Sequence, residues 1–297
     1  MTSTIEFLGT TTFRMVINDL VIFHDCWLDR PQSLVTYLTP DQVDRADYIL
    51  INHAHFDHLP GTEIVAKKTG ARVIGNAEAI RVLRELGVPE DQLMPVAGGE
   101  HIKLPHDIVI RPYPGLHCLM PFEHGAVPDV LTTDHRYEGK PGLGNLPNVP
   151  DDRLPSDQFR SFKRYIAKNQ GRFSLWDGGC MMYNIHVPGQ GTIFFNAHCG
   201  AYMGLLNDIH PRPDVAILAA AGQPCVNGDG YTGTANEFVL DCLERLGQPR
   251  KVAWCLHDQS PLPPQRIDTS TLEERVGRET KTKVMTLVPA EATGIFE

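Results

Sequence analysis

The sequence predicts a layered α/β protein. Short apolar strands alternate with segments of helical periodicity along most of the chain, and no internal repeat interrupts them. With 297 residues, 42% hydrophobic and 21% charged, the chain can bury a sizeable core and remain soluble. We expect one domain over residues 1–297, carrying an irregular insertion or lid at about 118–172.

The elements follow in order. TIEFL (4–8), RMVI (14–17) and LVIFH (20–24) read as strands punctuated by Gly9 and Asn18-Asp19, and HDCWLDRP (24–31) as a loop leaving the third. Residues 47–51 form a fourth strand. Residues 62–68 suit a short helix ended by Gly70, and 71–74 a strand. In 77–86 the apolar positions Ile80, Leu83 and Leu86 recur at helical spacing and stop at Gly87. Short strands are expected near 93–96, 101–104 and 107–111. The stretch 118–172 is rich in Pro, Gly and Asp and is periodic only at 157–168, the pattern of a partly ordered lid. CMMYNIHV (180–187), PGQG and TIFFNA (192–197) read as a hairpin, and DVAILAA (214–220) as a buried strand. Thr234-x-x-Glu237 is a capping box. The helix it opens has Phe238, Val239, Cys242, Leu243 and Leu246 on one face and ends at Gly247. KVAWCL (251–256) is the last clear strand, running into His257.

Composition narrows the function. A net charge of −9 without a Lys/Arg-rich run argues against nucleic acid as partner. No apolar stretch approaches a membrane span. The start MTSTIEFLGTTTF has no secretory pattern. The seven cysteines are odd in number and lack a C-x-x-C pair, which points to a reducing compartment. We therefore expect a cytoplasmic protein with a small-molecule substrate; homo-oligomer formation is left open.

One stretch carries the chemistry. INHAHFDHLPG (51–61) places His53, His55, Asp57 and His58 within six positions, directly after an apolar strand. His53 and His55 can turn toward one point, whereas the adjacent Asp57 and His58 suit a second. H-x-H-x-D-H thus fits two neighbouring metal ions, and imidazole with carboxylate is a ligand set that zinc accepts.

HAHFDH (53–58) resembles the metal-binding signature of the metallo-β-lactamase superfamily. FLGTTTF (7–13), VIFHDCWL (21–28), GLHC (115–118), FFNAHCG (194–200) and WCLHD (254–258) resemble its further motifs in their order. The likeness covers most of the chain outside 118–172 and is nearest to the branch of metal-dependent hydrolases containing ascorbate-6-phosphate lactonase. It implies a four-layer αββα sandwich, two mixed β-sheets flanked by helices. It also implies that His53, His55 and His117 hold one metal and that Asp57, His58 and His257 hold the other, with Asp25 supporting the ligands from behind. One or two zinc ions per chain are expected; manganese or iron would also suit such a site.

One position departs from the family pattern. Where the family has an Asp whose carboxylate bridges the two ions, alignment on Gly200 puts His198. A neutral imidazole has one free lone pair and cannot span two ions. Either His198 binds one metal and hydroxide alone bridges, or a single metal is held, or His198 stands behind the ligands. Lower-ranked candidates are His124 and His135 in the insertion, since a lid histidine could contact substrate. Tyr202 is a candidate to polarise a carbonyl or protonate a leaving group. Cys118 and Cys199 each follow a proposed ligand and are read as small buried residues, because neighbours on an extended chain point opposite ways.

The leading expectation is metal-dependent hydrolysis of an ester, lactone or amide by metal-activated hydroxide, with Asp57, His198 and Tyr202 as catalytic candidates. No G-x-S-x-G elbow suggests a serine nucleophile. The rival readings are a di-iron redox or oxygen-activating enzyme on the same fold, a non-catalytic binding module, and a nuclease disfavoured by charge.

Overall fold

In the computed structural model, residues 3–28, 30, 35–119, 148–154, 156–258 and 266–297 are described. The expected strands before residue 115 all form, with bounds within three residues of those read from the sequence: β1 (Thr4–Phe7), β2 (Phe13–Ile17), β3 (Leu20–His24), β4 (Tyr48–Leu50), β5 (Arg72–Gly75), β6 (Leu93–Pro95), β7 (Ile102–Lys103) and β8 (Val109–Pro114). The hairpin gives β9 (Met181–Val187) and β10 (Gly191–Asn196). Then come β11 (Gly200–Ala201), β12 (Val215–Ala219), β13 (Cys225–Val226), β14 (Asp229–Gly230), β15 (Lys251–Cys255), β16 (Lys283–Val284) and β17 (Thr293–Gly294).

These strands build two mixed sheets. In the first, β17, β1, β2, β3, β4, β5 and β6 lie side by side; β1, β2 and β3 pair antiparallel, and β3 through β6 run parallel. In the second the order is β16, β15, β12, β10, β9, β8, β7. Both β8 and β10 pair antiparallel with β9, so they run the same way, and β10, β12, β15 and β16 are parallel. Strands β11, β13 and β14 form a small third sheet.

The sequence explains which faces are covered. Helices α1 (Thr62–Thr69) and α2 (Ala77–Glu85) bury Val65, Ala66, Ile80, Val82 and Leu83 against Phe23, Ile49, Val73 and Leu93 on the outer face of the first sheet. α1 stops where Gly70 adopts the left-handed conformation, and Asn76 caps α2 through the Ala79 N–H. The two sheets share a core that includes Ile5, Phe13, Met15, Tyr183, Ile185, Phe194 and Phe195. Past α3 (Asp157–Lys168) and α4 (Met203–Asn207), helix α5 (Ala235–Arg245) starts at the expected Thr234/Glu237 capping box, and α6 (Ser270–Glu279) follows. α5 and α6 bury Phe238, Val239, Cys242, Leu243, Leu272 and Val276 in the same cluster as β12 and β15. The layering is therefore helix, sheet, sheet, helix, as the resemblance implied.

Of the 118–172 insertion, residues 120–147 lie outside the described residues, and with them His124 and His135. The described remainder packs. Ser156 caps α3, and Phe162, Tyr165 and Ile166 of that helix join Trp27, Phe56, Leu154 and Phe173 in a separate apolar cluster. The Trp27 indole N–H donates to the Tyr165 hydroxyl at 2.9 Å, and the Phe162 ring meets Phe56 edge-on at 4.9 Å. Phe56 is the residue between His55 and Asp57, so α3 braces the ligand loop. Truncating Phe162 to Ala should cost about 3–5 kcal/mol of stability, read by denaturant unfolding. A loss below about 1 kcal/mol would mean that the loop does not depend on this helix.

Candidate metal centre

The site forms because strand direction delivers its parts to a common edge. β3 and β4 are parallel, so Asp25 and the 53–58 loop leave the first sheet at the same end. β8 and β10 run alike in the second sheet, so His117 and His198 also leave together. Sites at the carboxyl ends of strands are the rule for open α/β sheets. Gly200 lets the two loops meet: a Cβ there would stand 2.2 Å from the Leu116 carbonyl oxygen.

The result is five buried or half-buried imidazoles in contact. The ligand atoms of His53, His55 and His117 lie within 4.8 Å of one another, as do those of His53, His58 and His198, and those of His117, Cys118 and His198. The His55 Nδ1 is 3.2 Å from the His117 Nε2, and the His58 Nε2 is 3.2 Å from the His198 Nε2.

Hydrogen bonds on the far side fix which nitrogen faces inward. Asn52 donates through Nδ2 to the Met181 carbonyl, which leaves its Oδ1 to accept from the His53 Nδ1 at 2.7 Å. His117 Nδ1 donates to the Cys118 carbonyl at 2.7 Å. His58 Nδ1 donates to Asp25 Oδ2 at 2.7 Å, with Thr11 Oγ1 at 3.2 Å. In each ring the Nε2 lone pair is then the one turned to the cluster. The buried Nε2 of His53 and the buried Nδ1 of His198 have no hydrogen-bond partner among the described residues.

Burial, then the neighbouring imidazoles, hold His53 and His198 well below the ordinary imidazole value. Burial also lowers His117, against the pull of Asp177. His58 goes the other way: burial pulls it down, but Asp25 and Asp57 outweigh it and leave it raised. Burial alone would raise Asp25, yet His58 and His24 hold its carboxyl below the usual range. Burial pushes the Cys118 thiol up to about 12, so without a cation against it the thiol is neutral.

The remaining sequence candidates occupy different places. Asp25 stands behind His58, fully buried, and also accepts the Asn52 N–H through Oδ1 at 2.7 Å. Asp57 falls in none of the three groupings, although its Oδ2 is 3.6 Å from the His58 Nε2 and its side chain is 17% exposed. His257 is also outside them. Its ring stacks on Phe7 at 5.4 Å and lines a cavity of about 480 Å³ with Tyr37, Asp258 and Arg266. Tyr202 precedes α4 and is exposed. Cys199 is buried and donates to the Ala219 carbonyl. Asn52 was not singled out in the sequence, since an Asn between a strand and a ligand has no signature of its own. Neither was Asn76, whose Nδ2 donates to the Asp177 and Gly179 carbonyls and ties down the segment beside the ligand loop.

Comparison with known proteins bears on the fold. Residues 21–132 match the Beta-lactamase superfamily domain. A metal-dependent hydrolase of Pyrobaculum calidifontis is 36% identical over 115 residues, 38% of this chain and 50% of that protein. The chain thus spans about half the length of the curated relatives it matches. A metallo hydrolase from Ignicoccus hospitalis superposes with a TM-score of 0.62 at 19% identity, over 99% of this chain and 98% of that one. The metallo-beta-lactamase fold protein of Bacillus subtilis does so with 0.54 at 11% identity, over 98% of each. These structural likenesses establish the fold. No described helix is long and apolar enough to cross a membrane.

Outer partners that orient metal-bound histidines are worth about 10- to 100-fold in affinity. Asp25→Ala should weaken metal binding by that factor, roughly 10- to 100-fold, in a chelator competition assay. Unchanged affinity would show that His58 either is not a ligand or needs no orientation.

Proposed function

We propose that this chain, which has the metallo-β-lactamase fold and matches the superfamily domain over residues 21–132, is a metal-dependent hydrolase of a small-molecule ester, lactone or amide. The observation that carries this reading is the set of inward-turned nitrogens. His53, His58 and His117 each have Nδ1 held by an oxygen acceptor, so each offers Nε2 to the cluster, His53 and His117 together with His55 in one grouping and His53 and His58 together with His198 in another. Three or more imidazoles with fixed tautomers and no internal acceptor fit a divalent cation and little else.

His53, His55 and His117 would hold one ion, and His58 and His198 a second, with the Asp57 carboxylate at its edge. Zinc is the ion we favour. Bound there, such ions supply hydroxide near neutral pH and polarise the scissile carbonyl. The chain's own contribution is positional. Asn52, Asp25 and the Cys118 carbonyl fix the ligand rings. Asp57, partly exposed beside His58, is placed to accept a proton from attacking water. The exposed Tyr202 is available to donate to a leaving group brought to it. The His257 role implied by the resemblance is a separate question, because its ring lines a different cavity.

Elemental analysis of protein purified without added metal should find at least one zinc per chain, with firmer two-metal occupancy in His198→Asp. Against a panel of lactones, esters and amides, His53→Ala should lose more than the roughly 100-fold upper range of outer-partner effects. No metal in any preparation, or hydrolysis that survives His53→Ala, would sink the reading. His257→Ala should leave the metal content unchanged; loss of one ion would make His257 a ligand.

A further inference from the structure

We propose that Cys118 is a metal ligand, its thiolate joining His198 on the side of the centre where the family pattern has a bridging carboxylate and this chain has an imidazole. The proposal rests on the metal-centre reading above and adds a donor to it.

Geometry is the first ground. Cys118 Sγ and one nitrogen each of His117 and His198 lie within 4.8 Å of one another. The alternation that would turn Cys118 away from its neighbour does not operate, because β8 ends at Pro114 and residues 115–118 are not in a strand. Sγ stands 3.9 Å from the His117 Nδ1, the nitrogen turned from the cluster, so the thiol would share an ion with His198 rather than with the His117 Nε2. The backbone is held in this position: Leu119 forms a bridge to Gln223, with its N–H on the Gln223 carbonyl at 2.8 Å. Gly222, by lacking a side chain, makes room for the thiol. A Cβ at that residue would lie 3.0 Å from both the Cβ and the Sγ of Cys118.

The second ground is His198. It is 4% exposed, and its Nδ1 has no hydrogen-bond partner among the described residues. A buried, unpartnered ring nitrogen is costly unless something binds it.

Charge balance is the third. Each divalent ion brings two positive charges into a buried site. The imidazoles bring none in return, Asp57 at the edge supplies one, and a His198 in place of a bridging Asp removes one. A thiolate restores it. Binding breaks the S–H bond, forms a sulfur–metal bond and releases the proton to solvent. Thiolate is a soft donor, so this half of the centre should favour zinc over manganese or magnesium.

Cobalt(II) separates the possibilities, because its visible bands report any bound ion and a near-ultraviolet charge-transfer band reports only thiolate ligation. Metal-free full-length protein, kept reduced and anaerobic, is titrated with cobalt(II). We expect both signals in the wild type. Cys118→Ser should lose the charge-transfer band and keep the visible bands, and Cys199→Ser should keep both. Visible bands without charge transfer in the wild type would overturn the Cys118 assignment and leave the metal centre standing. So would a charge-transfer band that survives in Cys118→Ser. Failure to bind cobalt at all would overturn both. Should Cys118→Ser not fold, alkylation mapping of the wild type decides instead. Cobalt should slow labelling of Cys118 relative to Cys225, and equal rates would overturn the proposal.

Discussion

The ligand geometry depends on one buried carboxylate. Asp25 is wholly excluded from water, sits in a left-handed backbone conformation at φ 49°, and reaches two partners with its two oxygens. One oxygen holds the His58 ring and the other holds the Asn52 N–H. Asn52 in turn orients His53. A single negative charge therefore sets the inward nitrogens of two histidines from different ends of the same loop. Burying that charge costs free energy, which the neighbouring His58 and His24 offset. The same contact raises His58 above its usual value, against the lowering that burial alone would bring.

Much of this could be read from the chain, and the limits have physical causes. Elements with strong local signals formed close to their expected bounds: the capped helix after Thr234, the helix ended by Gly70 and the hairpin about PGQG. What escaped notice was structure made by distant pairing. β16 and β17 are two residues each and exist through partners β15 and β1, with nothing in their own composition to announce them. The two-residue strands β11, β13 and β14 are of the same kind. α6 was missed although it buries Leu272 and Val276, because two apolar anchors in a mostly charged segment give little periodicity.

At the site, the residue types were legible and their relations were not. The spacing of His53, His55, Asp57 and His58 announced metal chemistry. The sequence could not say that the loops carrying His117 and His198 would be pressed together through Gly200, nor that Asp57 would stand at the edge. Cys118 was read as a small buried residue and is one, packed in the shared core, although the alternation behind that reading does not apply where the strand has stopped four residues earlier.

The described end of the insertion bears on how the centre stays assembled. A lid over a site would be expected to touch it with polar groups. Helix α3 instead approaches with Phe162, Tyr165 and Ile166 and meets Phe56, Trp27 and Phe173 in an apolar cluster distinct from the two sheet cores. Segment 174–181 grips the loop from another side: the Ser174 N–H donates to the Ala54 carbonyl, the Ala54 N–H donates to the Asp177 carbonyl, and the Met181 N–H donates to the Asn52 carbonyl. Crowded imidazoles with inward lone pairs repel one another before any ion arrives. A loop held only by its own turns would spread to relieve that repulsion. Clamped by apolar packing outside and backbone bonds along its length, it keeps its nitrogens converged, which is the preorganisation a tight metal site requires.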